Sequence, residues 1–374
     1  MKFKINSESL AKVLGLLAKA IPVKPSLPIL TNFVFDVKGD ILRVTASDSD
    51  LTMRAVLTTD EVNEEGTCLI PAKLLIDLLK NMPSCAIGFE QKAGESTILC
   101  TWENGESQMP TFDQNDYPAI KAPEQNATMV TISQDSLADG IAKTVYAVAE
   151  DETRPQICGI FFDIRKDGLT LVGTDAKRIM FCEYPDIKSP EDSSFILNKK
   201  AATALKGVLG KEGECKICYN KTHVRIVLGG FEIITTQVTG RFPNYRSVIP
   251  TDNHNILQVD RQTLLNAIKR IAVCADKTTT IIRIDLTFGE IKLSAQDLGF
   301  SISAKEKMSC DYDGEDIAIG FKAPALMEIL GCFGTELIEL RFKGGDKSTL
   351  IVPTDDDRKD EPLTALLMPI MINK

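Results

Sequence analysis

The chain has 374 residues, of which 44% are hydrophobic, 25% charged and 6% aromatic, and its formal net charge is −9. At about 100–200 residues per domain, this length predicts two to four domains. The composition excludes a disordered, collagen-like or low-complexity chain. No apolar run reaches the roughly 18 residues of a membrane-spanning helix. The acidic balance argues against a protein that grips nucleic acid with its whole surface.

The first residues and the cysteines indicate the compartment. The opening MKFKINSESLAKVL lacks the charged stretch, apolar block and cleavage site of a secretory signal. The ten cysteines are dispersed, mostly within apolar runs, as buried thiols of a reducing compartment would be. We therefore expect a cytoplasmic protein.

The sequence offers no catalytic or metal-binding constellation. His223 and His254 have no ligand spacing to another histidine or cysteine pair, and Cys215-Lys-Ile-Cys218 is a lone C-x-x-C within a predicted strand. In Gly344-Gly345-Asp346-Lys347-Ser348, an aspartate stands where a phosphate loop needs glycine. The acidic run Asp355–Asp357 is more typical of a solvated loop than of a cation site. We expect no enzymatic activity, no cofactor and no metal.

A repeat organises the chain. Three segments share a short strand, a capping residue and an amphipathic helix: FKINSESLAKVLGLLAKAI, VTISQDSLADGIAKTVYAV and LQVDRQTLLNAIKRIAV. The helix-opening leucines are spaced by 127 residues each time, and each follows an N-cap residue by four positions. These leucines are Leu10, Leu137 and Leu264, and the N-caps are Asn6, Ser133 and Asp260.

Each copy continues with two alternating strands and a strand that leads into a second helix. The alternating strands are NFVFDVKGDILRVTASDSD, GIFFDIRKDGLTLVGTDAK and RIDLTFGEIKLSAQDLG, and the second helices begin near 71, 198 and 321. The pattern predicts three copies of one α+β domain, over residues 1–126, 127–250 and 251–374. Long alternating strands with two helices per copy favour antiparallel sheets with helices on one face.

Positive charge is concentrated in the predicted helices. The six helix windows (8–20, 71–82, 135–148, 198–209, 260–273 and 321–332) contain 12 basic and 6 acidic residues, so the rest of the chain sums to −15. Two interpretations stay open at this point. Lysine and arginine are good helix formers that can simply decorate a solvated face. Alternatively, they line a surface that attracts phosphates without reading bases.

Several stretches together resemble one family. They are the opening MKF, KPSLPIL at 24–30, TDAKR at 174–178, GRFPNYR at 240–246 and MP at 368–369. On these, the chain resembles the bacterial sliding clamps, the beta subunits of DNA polymerase III, along essentially its whole length. The resemblance implies three tandem clamp domains, with antiparallel sheets outside and two helices per domain inside. It also implies a head-to-tail homodimer that closes as a six-domain ring around duplex DNA.

The function that the resemblance implies is mechanical. A non-catalytic processivity factor in the cytoplasm, associated with the nucleoid, would encircle DNA without sequence preference and have no membrane contact. It would tether the replicative DNA polymerase and bind the clamp loader, repair polymerases, DNA ligase and mismatch-repair proteins through short peptide motifs. A topological tether raises the effective concentration of the polymerase at the primer end.

The resemblance also places DNA contacts and an interface. Lys24 and Lys73 match family positions that touch DNA, and Arg154 fits as well, although Pro155-Gln156 follows it in place of an aromatic pair. With the helix cations, the expected DNA-binding residues are Lys24, Lys73, Arg154, Lys199, Lys200, Lys206, Lys269 and Arg270. Met109 and Val273 are expected at the dimer interface, from their places near the ends of domain one and of the first helix of domain three.

A peptide-binding groove is implied between domains two and three. Ala176, Lys177 and Ser247 replace a typical Gly, His and Arg of the family, so the peptide preference is expected to differ. The matching positions are Ile157, Thr174, Ala176, Lys177, Arg178, Ile179, Pro243, Ser247, Val248, Thr349, Leu366, Leu367, Met368, Pro369, Ile370 and Met371. Without the resemblance, LTALLMPIMINK is more typical of a core strand.

Two other function classes remain. A repeat-built scaffold that binds proteins without encircling DNA predicts a monomer or open assembly, indifferent to DNA topology. A hydrolase or transferase lacks a catalytic constellation, and metal-dependent turnover that needs Asp355–Asp357 would be its signature.

Overall fold

The computed structural model describes residues 1–123, 128–354, 357 and 362–372. The chain forms two compact units. The first unit comprises Met1–Asp139 and Leu197–Thr239, and the second comprises Gly140–Ile196 and Gly240–Lys374. Asp355 and Asp356 of the acidic run lie outside the described residues.

The first third of the chain contains helices α1 (Ser7–Leu17) and α2 (Ala72–Lys80). Its strands are β1 (Lys2–Asn6), β2 (Asn32–Lys38), β3 (Ile41–Ser47), β4 (Leu51–Thr58), β5 (Glu61–Glu64), β6 (Gly66–Pro71), β7 (Ala86–Glu90), β8 (Thr97–Trp102) and β9 (Gly105–Pro110).

The middle third contains helices α3 (Gln134–Thr144) and α4 (Lys199–Lys206). Its strands are β10 (Thr128–Ser133), β11 (Gly159–Arg165), β12 (Gly168–Thr174), β13 (Arg178–Tyr184), β14 (Ser193–Asn198), β15 (Glu214–Tyr219), β16 (His223–Leu228) and β17 (Phe231–Thr236).

The last third contains helices α5 (Arg261–Ala272) and α6 (Ala323–Cys332). Its strands are β18 (Asn255–Asp260), β19 (Ile281–Thr287), β20 (Glu290–Asp297), β21 (Ile302–Ser309), β22 (Asp311–Tyr312), β23 (Ile317–Lys322), β24 (Leu337–Phe342), β25 (Thr349–Pro353) and β26 (Leu363–Leu367).

All six predicted helices are present, and the three repeated helices begin as predicted. The side chain of each N-cap accepts the backbone N–H three residues later, which satisfies one of the donors that a helix start leaves free. The bonds are Ser9 to Asn6 at 3.0 Å, Ser136 to Ser133 at 3.1 Å and Thr263 to Asp260 at 2.6 Å. Short 3₁₀ turns, Ala18–Ala20 and Val145–Ala147, extend α1 and α3, so these two windows were predicted too long for an α-helix.

The first unit contains two antiparallel sheets. The five-stranded sheet has the order β5-β1-β7-β8-β9, and the eight-stranded sheet has the order β10-β15-β16-β17-β4-β3-β2-β6. The larger sheet joins strands of two predicted domains, because β17 pairs with β4 in the register Ile233 to Met53. Because this sheet includes strands from both sides of residue 126, it does not test the predicted domain boundaries near 126 and 250, which stay a prediction.

The second unit repeats this design. Its sheets have the orders β14-β11-β12-β13-β26-β25-β24-β18-β22 and β21-β20-β19-β23, and β13 pairs with β26 in the register Ile179 to Leu366. Buried residues of α5, α6 and the strands, such as Ile268, Ile329 and Phe321, form one large core. The predicted α+β class with antiparallel sheets is confirmed. None of the helices described is long and apolar enough to cross a membrane.

Candidate partner groove and basic helices

A tight turn between β12 and β13 begins the predicted partner groove. Asp175 Oδ1 accepts the backbone N–H groups of Lys177 at 2.8 Å and Arg178 at 2.9 Å. Ala176, between them, has a φ of 72°. This left-handed conformation favours glycine, so the alanine holds it at a cost. The turn directs the chain at once into β13.

Arg178 holds this turn in place. Its Nε donates to Asp175 Oδ2 at 3.1 Å, its Nη2 donates to the Tyr146 carbonyl at 2.9 Å, and its Nη1 pairs with Glu328. The guanidinium also lies 5.1 Å from the centre of the Tyr146 ring. Only 14% of the Arg178 side chain is exposed. Four contacts on one planar group leave it a single orientation.

The segment after Gly240 forms the wall of the groove, and β11 anchors it. Phe242 stacks on Phe161 with ring centres 4.4 Å apart, and the Tyr245 hydroxyl donates to Asp163 Oδ2 at 2.9 Å. The buried Asp163 carboxylate also accepts from Arg165 Nε at 2.9 Å. Burial, together with this carboxylate, raises the pKa of Tyr245 to about 12. The tyrosine therefore stays protonated and donates its hydrogen bond throughout the neutral range.

Strand β26 supplies the floor. The N–H of Met368 donates to the Lys177 carbonyl at 2.9 Å, which continues the pairing of β13 with β26 beyond Leu367. Leu366 is buried against Leu350. Met368 and Val248, by contrast, are 54% and 51% exposed. An apolar floor with half-exposed apolar side chains at its edges suits an apolar ligand.

These elements enclose a cavity of about 350 Å³ in the second unit. It brings together ten of the residues predicted for the groove: Ile157, Thr174, Ala176, Lys177, Arg178, Ile179, Pro243, Val248, Leu366 and Met368. Leu367, Pro369 and Ile370 line a neighbouring cavity of about 640 Å³, which shares Lys177, Arg178 and Met368 with the first. Their role in peptide binding stays a prediction.

Three of the residues predicted for the groove line neither cavity. Thr349 is completely buried, because β25 lies inside the sheet and turns this side chain away from solvent. The Ser247 hydroxyl donates to the Asn244 carbonyl at 2.7 Å, within its own turn. Met371 is 79% exposed beyond the cavities.

The groove also has lining residues that sequence reasoning missed. They are Gln156, Phe242, Asn244, Tyr245 and Ser348. The signal for three of them was present, because Phe242, Asn244 and Tyr245 belong to the stretch GRFPNYR. Arg154, predicted as a DNA contact, lines this groove as well.

The other predicted DNA contacts differ in how much of their charge is available. Lys200 pairs with Asp48, and Arg270 Nε donates to Glu306 at 3.0 Å, so these two charges are partly neutralised. Lys199 is half-buried at the start of α4. Among the predicted DNA contacts, Lys24, Lys73, Lys206 and Lys269 are exposed and make no ion pair with the residues that the structure describes.

The two predicted interface residues also differ. Met109 is buried within the first unit, on the edge strand β9. Its side chain is therefore not available to a partner, although the outer backbone of β9 is unpaired in the sheet. Val273 is 74% exposed at the end of α5. Leu298 and Phe300, which sequence reasoning missed, are 81% and 76% exposed next to the edge strand β21.

Comparison with known families decides the relationship. Models of the N-terminal, central and C-terminal domains of the DNA polymerase III beta subunit match residues 1–121, 131–244 and 246–371. The chain belongs to the DNA polymerase III beta subunit family. A beta sliding clamp of Pseudomonas putida is 28% identical over 359 residues, which are 96% of this chain and 97% of that protein.

Solved beta subunits have the same fold. A sliding clamp of Pseudomonas aeruginosa bound to griselimycin superposes with a TM-score of 0.94 at 27% identity, over 100% of both chains. A Bacillus subtilis sliding clamp, at 22% identity and a TM-score of 0.92 over 100% of both chains, supports the fold alone. The predicted fold of three tandem clamp domains is confirmed. So is the predicted function, a sliding clamp of DNA polymerase III that confers processivity in DNA replication, and the scaffold alternative is not favoured.

Proposed function

We propose that two copies of this chain close head to tail into a ring that encircles duplex DNA, and that the ring has no catalytic activity of its own. The match of the entire chain to a solved sliding clamp, over 100% of both chains, is the observation that supports this proposal. The polymerase supplies the chemistry, and the ring supplies the tether.

The unpaired lysines support a sliding contact with DNA. Lys73, Lys206 and Lys269 are exposed on helices, and Lys24 is exposed on a loop. Flexible ammonium groups attract phosphates without reading bases, so the ring can move along the duplex with little friction. Lys200 and Arg270 contribute less to DNA binding, because ion pairs with Asp48 and Glu306 already partly neutralise their charges.

Two open sheet edges support the head-to-tail contact. Strand β9 is the edge of the five-stranded sheet, and β21 is the edge of the four-stranded sheet. Each offers unpaired backbone groups to another strand. The two edges are unlike, so a contact between copies is heterologous and closes only if the rotation returns to its start. Exposed Val273, Leu298 and Phe300 would add apolar area to it.

The groove supports exchange of partners. Its apolar lining suits short peptide motifs of the replicative polymerase, the clamp loader, repair polymerases, DNA ligase and mismatch-repair proteins. Two aliphatic anchors supply roughly 1.5–3 kcal/mol each, which gives modest affinity and quick release. Such a ring acts on chromosomal DNA, so its location would be the cytoplasm, in association with the nucleoid.

The test is retention on DNA of defined topology. The protein is loaded onto nicked circular DNA and washed at high salt, which screens ordinary phosphate contacts, before and after the circle is cut. We expect retention on the circle and rapid loss after linearisation. Equal loss from both forms, with loading verified before the wash, would instead favour a scaffold that does not encircle DNA.

A matched pair of variants sharpens this test. Replacing both Val273 and Phe300 by Asp places charges at the proposed contact and should abolish retention on the circle. Phe288→Asp is the control, because Phe288 is 82% exposed at the opposite end of β20 from Phe300. Retention by the double variant would contradict the proposed contact.

A further inference from the structure

The cavity beside the partner groove has a distinct chemistry. Its apolar lining comes from Pro324 and Ala325 of α6 and from Leu367, Pro369 and Ile370 at the end of the chain. It has about 640 Å³, room for more than one side chain. Because it shares Lys177, Arg178 and Met368 with the groove, a peptide anchored in the groove can extend directly into it.

The charges of this cavity are not equally available. Its two carboxylates, Asp175 and Glu328, are both held by the guanidinium of Arg178. Lys177 and Lys322 are exposed, and neither has an ion pair within the described residues. The two ammonium groups are therefore the charges free to meet a ligand.

We propose that this cavity selects partner peptides that carry an acidic residue beside the apolar anchor, and that Lys177 and Lys322 bind that carboxylate. The proposal rests on the peptide-binding function proposed for the groove. Opposite charge at the mouth of an apolar cavity discriminates among partners more than it adds affinity. Lys177 touches both cavities, so it lies where the anchor and the acidic residue would meet.

The expected selectivity is modest. Ion pairs of exposed lysines are weak individually, so the two together should favour an acidic peptide over its neutral counterpart by about three- to tenfold. The preference should decline as salt rises, because screening acts on solvent-exposed charges. An apolar preference alone would not depend on salt in this way.

The experiment uses three synthetic peptides with the same apolar anchor and either Glu, Gln or Lys beside it. Each is titrated into the full-length protein at low and at high salt. We expect the order Glu, Gln, Lys from tightest to weakest, with the spread reduced at high salt. In the Lys322→Met variant, the ratio of Glu to Gln affinity should move toward one.

Two further variants separate the causes. Lys343→Met is the matched control, because Lys343 pairs with Asp252 and lines neither cavity, so it should preserve the ratio. Glu328→Gln should increase the ratio, since Arg178 then has one carboxylate fewer to neutralise it.

The outcomes distinguish this inference from the function on which it rests. If none of the peptides binds, the proposed groove function fails. If all three bind equally, the groove stands and the acidic selectivity is overturned. A preference for Glu that survives the Lys322→Met change at full size also overturns the assignment to this cavity.

Discussion

Two turns, 127 residues apart in the repeat, have nearly the same backbone in the two units. In the first unit, Asp48 Oδ1 accepts from the N–H groups of Asp50 at 3.1 Å and Leu51 at 2.7 Å. Asp175 makes the corresponding bonds in the second unit. The residue after each aspartate has a positive φ, 86° at Ser49 and 72° at Ala176.

The neighbouring strand joins each turn in the same way. The Thr236 N–H donates to the Asp50 carbonyl at 3.0 Å, and the Met368 N–H donates to the Lys177 carbonyl at 2.9 Å. Each turn borders a cavity, of about 360 Å³ in the first unit and about 350 Å³ in the second. The repeat therefore forms the same frame in both units, namely an aspartate turn, the strand that pairs with it and the cavity beside them.

The side chains on the two frames are unlike. The polar cavity of the first unit is lined by Ser47, Ser49, Asp50, Thr52, Pro118, Ala119, Ile120, Lys121, His223, Ile234, Thr235 and Thr236. Hydroxyl groups take the places of the apolar groups that line the groove of the second unit. An apolar peptide would strip water from these hydroxyls without replacing their hydrogen bonds. The frame decides where a cavity forms, and the side chains decide what it accepts.

The largest expected difference between the two units is in the free energy of unfolding, on replacing Asp163 or its repeat counterpart, Asp36. Asp163→Ala should lower the free energy of unfolding by about 2–3 kcal/mol, because it leaves the buried Tyr245 hydroxyl unsatisfied and two arginines without their carboxylate. The Asp36 side chain is 39% exposed, so Asp36→Ala should cost about 0.5 kcal/mol or less. Denaturant unfolding measures both.

Tyr245→Phe supplies the control for this pair. It removes the hydroxyl and retains the ring contacts with Phe161 and Phe181, so it should cost less than Asp163→Ala. Equal costs for Asp163→Ala and Asp36→Ala would mean that the buried network does not hold the groove wall.

The next effect concerns peptide binding at corresponding positions. Met368→Ala should weaken binding of a polymerase-tail peptide by about tenfold or more, since it truncates an apolar side chain that lines both the groove and the neighbouring cavity. Thr236→Ala, the counterpart in the polar cavity, should leave that affinity unchanged. Calorimetric titration measures the affinity and the number of peptides bound, which should be one per chain.

An unchanged peptide affinity in the Met368→Ala variant, with the fold intact by circular dichroism, would remove the groove assignment. Two peptides per chain would show that the polar cavity also accepts apolar ligands. Either result would break the contrast between the two cavities.

The repeat, its helices and their N-caps could be predicted from the sequence, because caps and apolar periodicity are local signals. The resemblance predicted the groove, but not the contacts that hold the wall of the groove against β11. Tyr245 meets Asp163 across 82 positions of the chain, and no local pattern marks such a pair. The burial of Thr349 follows from where β25 lies in the sheet, which periodicity does not reveal. An exposed Phe300 looks like a core residue in sequence.

The two units also differ in the strand pair that follows each turn, β4 with β17 in the first unit and β13 with β26 in the second. In the first unit Arg54 of β4 faces Glu232 of β17, and in the second unit the counterparts are Phe181 and Thr364. Burial opposes ionisation of Glu232, but hydrogen bonds from Arg54 and Arg225 outweigh it and lower the pKa of Glu232 below its usual 4.5. The stability from this carboxylate is therefore present above about pH 4.5 and is lost as pH falls through the lower folded value.

Glu232→Gln should accordingly cost about 1 kcal/mol at neutral pH, a figure reduced for the partial exposure of both arginines. The difference from the parent protein should shrink below pH 4, which thermal unfolding at several pH values measures. Thr364→Val, at the apolar junction, should show no such pH dependence. A cost for Glu232→Gln that is independent of pH would contradict the role of its charge.

The smallest effect tests what the two frames share. Ser49 and Ala176 both hold a left-handed conformation that costs an L-residue roughly 1–2 kcal/mol and costs glycine little. Glycine also gives the unfolded chain more freedom, so Ser49→Gly and Ala176→Gly should each stabilise the protein by about 0.5–1 kcal/mol. Ser49 donates its backbone N–H to Ser47 Oγ, and its hydroxyl makes no hydrogen bond to the residues that the structure describes, so the change to glycine removes none. If the melting temperatures of both variants rise, the strain belongs to the repeated turn and not to the cavity beside it. A rise in only one variant would mean that only one of the two turns is strained.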